Sequence, residues 1–316
     1  MADIHASSSA LKSFCTIVAG DGIEDCRKAC GGHGFLACSG LPEFITTYLQ
    51  NPTVEGDNHM LPQQVIKVLL KLVQAVQTND GLDQYELCDS YDLVPSLKSI
   101  MHQTGTPEKF QASGPDDLRD LGKLLLAFRH RSARLLADVA LQINTAVMNG
   151  MSMQHAWNNA LVAMARTSRA YSLFLLLRNF IEGINDSGSD LGPAETKVLG
   201  DLARLFALYW IERDLGDFLE DGYLSAKQAD WVRAGVLEYL DIVRPNAVAL
   251  VDTFDFSDFR LKSALGRYDG NVYPHIMDAA ARDPLNQMEP GPAYDPELKR
   301  LIAGGVGVYN GTASRL

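Results

Sequence analysis

No apolar run in this sequence reaches the roughly 18 residues that a membrane-crossing helix needs. The opening stretch MADIHASSSALKSF shows no charged-then-apolar signal pattern. Alternating strand-type segments and a fixed repeat period are both missing, which leaves helices as the building material. Excess basic charge is missing too: 28 Lys and Arg stand against 39 Asp and Glu, a net charge of −11. Binding a phosphate backbone needs basic surface, so nucleic acid is excluded as a main partner. An anionic substrate would need local Lys or Arg against this field. Cysteine is scarce and odd in number: Cys15, Cys26, Cys30, Cys38 and Cys88. Zinc wants four ligands with a matching second pair, and no such spacing occurs, so no metal site is expected. Cys26 and Cys30 lie one helical turn apart. All five are read as buried thiols in a reducing compartment.

What is present is core-forming residue. The chain has 316 residues, 47% hydrophobic and 21% charged, a globular composition long enough for about two domains. Residues 7–30 read as a first helix, stopped by Gly31-Gly32. Pro42 opens a short one to Leu49, and Asn51-Pro52 marks a turn. Val65, Ile66, Val68, Leu69, Leu72, Val73 and Val76 have the spacing of an amphipathic helix that ends near Asn79-Asp80-Gly81. Residues 81–113, broken by Pro95, Gly105 and Pro107, read as a connector with one short helix near Val94–Met101. Long helices are expected over 116–149, 151–185, 193–214 and 225 to the 240s, with Ser225 as the N-cap of the last. Pro245 must start, kink or break a helix. Long runs joined by short loops predict an all-α fold built from helical bundles. Segment 254–274 is aromatic-rich with Gly266, Gly270 and Pro274. It is read first as a packed cover over the bundle, with an interaction or ligand edge as the alternative.

Two short stretches carry the candidate chemistry. CRKACGGHGF, residues 26–35, is a glycine-dense turn, and glycine lets backbone approach a phosphate or a flat cofactor closely. TVEGDN, residues 53–58, holds Glu55 among mostly uncharged neighbours, a setting in which a carboxylate can act as a proton-abstracting base. Taken alone, Glu55 reads first as a solvated cap carboxylate, and the glycines as a helix stop.

CRKACGGHGFLACSGLPEF resembles the glycine-rich helix end of acyl-CoA oxidases, and TVEGDN resembles the loop with their catalytic glutamate. RPNAVALVDTFDFSDFRLKSALGRYDGNVYP looks like their C-terminal helical domain. The ending Ser314-Arg315-Leu316 is similar to the peroxisomal signal of these enzymes. The resemblance implies an FAD enzyme that oxidises a fatty acyl-CoA to the trans-2-enoyl-CoA and passes the electrons to O2 as H2O2. It implies that Glu55 removes the α-proton. It also implies that Gly31, Gly32 and Gly34 form the turn near an FAD held mainly by a neighbouring subunit, with Asp57 and Asn58 beside the flavin. A homodimer, a peroxisomal location and an import receptor reading Ser314-Arg315-Leu316 are implied by the same likeness. His33 is given no chemistry.

On this reading residues 1–80 are the end of the dehydrogenase-like helical domain and 81–113 a connector. Residues 114–310 are the oxidase C-terminal helical domain, and 311–316 a tail with the signal. Family members begin with a helical and a β-rich domain that have no counterpart here, so a C-terminal portion is expected. Phe14, Ile17, Leu69 and Leu72 are then expected on an uncovered apolar face. Val54 replaces a usual aromatic, His59 a usual Thr, and Pro62 falls near a helix start. The alternative function is a truncated, non-catalytic helical module that dimerises with a full-length oxidase.

Overall fold

The computed structural model describes residues 2–102, 108–186 and 190–287. Gly311 and the Ser314-Arg315-Leu316 ending lie outside them. The regular structure of the described residues is helical, with turns between and no strand among them. In chain order the helices are α1 (Ala2–Ala29), α2 (Leu41–Tyr48), α3 (Leu61–Thr78), α4 (Val94–His102), α5 (Leu121–Met148), α6 (Met153–Asn159) and α7 (Leu161–Asp186). Next come α8 (Pro193–Arg213), α9 (Leu215–Leu219), α10 (Ala226–Val243), α11 (Ala247–Asp252), α12 (Asp258–Leu261) and α13 (Val272–Arg282). The all-α expectation holds.

The chain divides into two compact units, one of Met1–Asp21 and Tyr48–Phe254, the other of Gly22–Thr47 and Asp255–Leu316. In the first unit α5 packs on α7, α10 on α8, and α3 on α7. Phe128, Leu136, Tyr171, Phe174, Leu208, Ile211, Phe218 and Val232 fill the space between them. Each such side chain contributes about 1.5–3 kcal/mol on burial. The periodic face of α3 is buried as its spacing predicts: Val65, Ile66, Leu69, Leu72, Val73 and Val76. Pro62 falls at the second helical position, where a missing N–H costs nothing. Ser225 does cap α10, and Gln228 reaches back to the Ser225 N–H at 2.9 Å to complete a capping box.

Three expectations are corrected. Phe14, Leu69 and Leu72 are covered, at 8%, 1% and 0% exposure, and only Ile17, at 46%, stays open. The covering comes from within the unit: the Phe14 ring meets Trp210 edge-on at 5.3 Å. The helix expected over 151–185 is two, α6 and α7, bent by 60° at Ala160. Asn158 and Asn159, whose amides compete with a helix backbone, precede the bend. The Gln142 side chain donates to the Asn159 carbonyl at 3.3 Å, and Ala156 and Ala160 are both buried. Finally, the cysteines are free but not buried, since Cys15, Cys26, Cys30 and Cys38 are exposed. No single described helix is long and apolar enough to cross a membrane.

Polar contacts fix the first turns of α1. The Asp3 carboxylate accepts from the Ser90 hydroxyl at 2.6 Å and the Asp89 N–H at 2.8 Å. Ser7 donates to Asp89 at 2.9 Å, and Arg178 donates to the same carboxylate at 2.6 Å. Further along, the buried Ser172 hydroxyl on α7 donates to the Ala10 carbonyl at 2.8 Å.

Two ionic clusters hold the rest of the unit. Arg131, 2% exposed, donates to Asp217 at 2.6 Å and sits 2.9 Å from Asp214. Arg166 donates to the other Asp217 oxygen at 2.7 Å, and Arg169 pairs with Asp214 at 3.0 Å. In the second cluster His130, 4% exposed, stacks on Tyr223 with ring centroids 4.0 Å apart. Its ring nitrogens lie 2.7 Å from Asp221 and 3.0 Å from Glu108. Arg134 approaches Asp221 at 3.5 Å, and Ser96 donates to Glu108 at 3.3 Å. Burial works against the His130 charge, but the hydrogen bonds to Asp221 and Glu108 outweigh it and raise its pKa. Hydrogen bonding to His130 lowers the Glu108 pKa; burial opposes but does not cancel the same effect at Asp221.

These shifts give the cluster a pH-dependent worth. A raised histidine stabilises fully below its unfolded value and loses that contribution as pH rises through the folded one. Depressed carboxylates stabilise above their unfolded values and lose it as pH falls. The clamp is therefore worth most near about pH 5–6, between the ordinary carboxylate and histidine ranges. We expect His130→Gln to cost about 2 kcal/mol there, and progressively less on either side. Urea unfolding of both proteins at stepped pH checks this; a difference that stays flat with pH contradicts it.

The second unit is held mainly by turns. Ala264, 3% exposed, donates its N–H to the Cys38 carbonyl at 2.8 Å. Asp258 accepts from the Tyr268 N–H at 3.0 Å, and the Ser263 hydroxyl from the Gly266 N–H at 3.0 Å. The reading of segment 254–274 as a packed cover is corrected: Phe259 and Tyr268 are 85% and 86% exposed. Side-chain-to-backbone bonds shape it, and burial of aromatics does not.

Candidate functional site

The residues singled out by sequence fall into both units. In the first unit, Glu55 sits on a turn between α2 and α3. The Gln50 carbonyl accepts from Thr53 and Val54 at 2.9 and 3.1 Å, which starts the turn. The Pro52 carbonyl accepts from the Asn58 N–H at 3.0 Å, which closes it. The Asp57 carbonyl accepts from Met60 and Leu61 at 2.9 and 3.0 Å, so the end of the turn is already the start of α3. Between these bonds Glu55 has φ 57° and Gly56 φ 101°. A left-handed residue with a Cβ costs roughly 1–2 kcal/mol. Gly56 is favoured by its φ, and a Cβ there would also push on a Leu61 methyl 2.9 Å away. The conformation turns Glu55 outward. Its carboxylate is exposed and accepts no hydrogen bond from a described residue. Val54 and Met60, 43% and 56% exposed, are apolar side chains on the same stretch.

Asp57 and Asn58 have different work. The Asp57 carboxylate accepts from the His59 N–H at 2.8 Å, a local turn bond. Asn58 is buried, and all its amide contacts go to α1. It donates to the Ser13 carbonyl at 3.0 Å and the Thr16 hydroxyl at 2.8 Å. It accepts from the Lys12 ammonium at 2.9 Å. Lys12 also donates to the Gly56 carbonyl at 2.6 Å. Sequence reasoning singled out none of Lys12, Ser13 and Thr16. One signal was available: Lys12 is the sole Lys or Arg before Arg27.

In the second unit, α1 ends and Gly31–Phe35 forms a short 3-10 turn. Gly34 is buried, and a Cβ on it would lie 2.1 Å from the Arg27 carbonyl oxygen. No side chain fits there, so Gly34 closes the helix end. Gly31 and Gly32 are exposed, and a Cβ on either would meet no atom within 4 Å. They leave a strip of bare backbone facing outward, which a flat molecule can approach. His33 meets Tyr273 edge-on at 5.6 Å.

The family "Acyl-CoA oxidase" matches residues 120–303, and its C-alpha1 domain matches residues 1–70. The first match alone spans more than half the chain. This chain belongs to the acyl-CoA oxidase family. It is 35% identical over 301 residues to peroxisomal acyl-coenzyme A oxidase 2 of Mus musculus, covering 95% of this chain and 43% of that protein. It is 36% identical over 301 residues to peroxisomal acyl-coenzyme A oxidase 1 of Rattus norvegicus, covering 95% and 44%. Among solved structures, acyl-CoA oxidase-1 of Caenorhabditis elegans, complexed with FAD and ATP, superposes with a TM-score of 0.83. That match is 31% identical and covers 96% of this chain and 44% of the other. The chain thus spans less than half the length of the oxidases it matches.

Proposed function

We propose that this chain supplies the proton-abstracting base and one backbone edge of the flavin site in the oxidation of a fatty acyl-CoA to its trans-2-enoyl-CoA. The observation that carries the reading is the exposed Glu55 carboxylate, aimed outward by a strained turn that hydrogen bonds to α1 hold in place. Nothing in the core calls for a left-handed glutamate, and such strain persists where function uses it.

Glu55 would take the α-proton of the thioester while the β-hydrogen leaves with its electron pair and the Cα–Cβ double bond forms. An α-proton beside a thioester is only weakly acidic, so the carboxylate must be held within hydrogen-bond reach of it. The exposed apolar side chains of Val54 and Met60 would shed water if an acyl chain covers them. Bound FAD would supply the hydride acceptor and the relay of both electrons to O2, giving H2O2. The bare backbone at Gly31 and Gly32 fits one edge of such a flat cofactor, because no side chain stands in the way. Asp57 is assigned to the flavin side of the base; Asn58, given the same place by likeness, would support the turn from beneath, because its amide is spent on α1. With the C. elegans relative holding FAD, the cofactor proposed here is the same.

The proposal includes a homodimer, in which the neighbouring subunit holds most of the flavin. It includes a peroxisomal location, since the mouse and rat relatives are peroxisomal, and import through Ser314-Arg315-Leu316. Residues 1–80 would carry the base and glycine edge, 81–113 connect, and 114–310 form the oxidase helical domain ahead of a 311–316 tail. Because the match spans only 43–44% of those relatives, a second reading stands beside it: a non-catalytic helical module that dimerises with a full-length oxidase.

One experiment separates them. The native protein that carries this chain, purified from its own cells, is expected to show a flavin absorbance band and to release peroxide on addition of fatty acyl-CoA. A colourless protein that co-purifies with a longer oxidase, and makes no peroxide once freed of it, would establish the second reading instead.

A further inference from the structure

We propose that Lys12 is the positioning residue for the Glu55 turn, an inference that rests on Glu55 being the base. Two consecutive left-handed residues, Glu55 and Gly56, form the turn, at φ 57° and 101°. A turn of this kind relaxes unless the surrounding structure holds it. The Pro52 carbonyl and the Asn58 N–H close its backbone at 3.0 Å. Lys12 ties the left-handed pair itself to α1. One ammonium donates to the Gly56 carbonyl at 2.6 Å and to the Asn58 side chain at 2.9 Å. The first of these acceptors directly succeeds Glu55 in the chain.

The chemistry suits lysine. An ammonium offers three rotatable donors from a compact head, so it can serve two carbonyl oxygens that face different ways. The stem is half-buried on α1. The helix gives it a fixed origin, since Ser172 holds the Ala10 carbonyl at 2.8 Å and Asp3 is locked to Ser90 at 2.6 Å. Asn58 closes the circuit by donating to Ser13 and Thr16, while the Thr16 hydroxyl donates to the Lys12 carbonyl at 2.8 Å. Lys12 touches no atom that reacts. It sets where the carboxylate of Glu55 stands, and a displacement of about 1 Å at such a site costs on the order of 100-fold in rate.

The test uses Lys12→Met, Lys12→Gln and Lys12→Arg in the full chain, with two readouts. The first is the turn itself: the sign of φ at Glu55 from NMR couplings, and hydrogen exchange at the Asn58 amide. Lys12→Met is expected to lose the positive-φ signature and to speed Asn58 exchange at least about tenfold. Lys12→Gln, which keeps a neutral NH2 donor group on a shorter stem, falls between, and Lys12→Arg restores protection. The second is turnover in the native oxidase: kcat falls about 100-fold in Lys12→Met with KM little changed, and Lys12→Arg recovers most of it. If Lys12→Met and Lys12→Gln both keep the wild-type φ and Asn58 protection, the inference is overturned. If the turn loosens as described but Glu55→Gln leaves turnover untouched, the clamp stands and the assignment of the base is what fails.

Discussion

Glu55→Gln in the native protein should lower kcat by about two to four orders of magnitude, the usual contribution of a positioned general base. The amide matches the carboxylate in shape but cannot accept the proton. Because the Glu55 side chain is exposed and takes no hydrogen bond from a described residue, the exchange removes no structural contact. Stability should therefore stay within about 0.5 kcal/mol of wild type, and KM should move little. Rapid mixing of enzyme and fatty acyl-CoA, with flavin bleaching monitored under anaerobic conditions, reads the chemical step directly. Undiminished bleaching would remove Glu55 from the mechanism. A parallel fall in stability would show instead that the side chain has a structural partner.

Asp217→Ala should be the most damaging single change to the fold, at about 3–5 kcal/mol. Asp217 accepts from Arg131 at 2.6 Å and from Arg166 at 2.7 Å, and its own carbonyl accepts from Arg134 at 2.7 Å. Burial raises the carboxyl pKa, and the charges of Arg131 and Arg166 outweigh that and lower it, so the group is ionised in the folded protein. Removing it leaves Arg131, 2% exposed, with Asp214 as its remaining carboxylate. An uncompensated buried charge is the costly outcome, more so than the loss of a pair. Urea unfolding at neutral pH gives the measurement. A shift below about 1 kcal/mol, the scale of an exposed pair, would mean that water or Asp214 compensates in full.

The parts of this molecule that were legible in sequence are those set by neighbours in the chain. The buried face of α3 comes from the spacing of Val65 to Val76, and the start of α10 from Ser225 with Gln228 three residues on. Both depend on atoms one turn apart. The break between α6 and α7 was hidden because apolar spacing continues through it; only the two asparagines before Ala160 hint at it. The His130 clamp was hidden for another reason, since its partners lie 22 and 91 residues away. The same holds for Lys12, whose acceptors are 44 and 46 residues distant. Glu55 itself was legible only as a carboxylate next to a glycine, and its left-handed backbone needed coordinates. Cysteine exposure was misjudged because a thiol carries no local mark of which helix face it occupies.

The bond from the Pro52 carbonyl to the Asn58 N–H makes a closed ring, and Asp57 hands the chain to α3 with no slack. Such a ring counts its members. Adding or deleting one amino acid between 52 and 58 would shift Asn58 out of register with Ser13 and Thr16, whatever the new residue was. Variants of this protein can therefore differ in what stands in that stretch far more readily than in how many residues it contains.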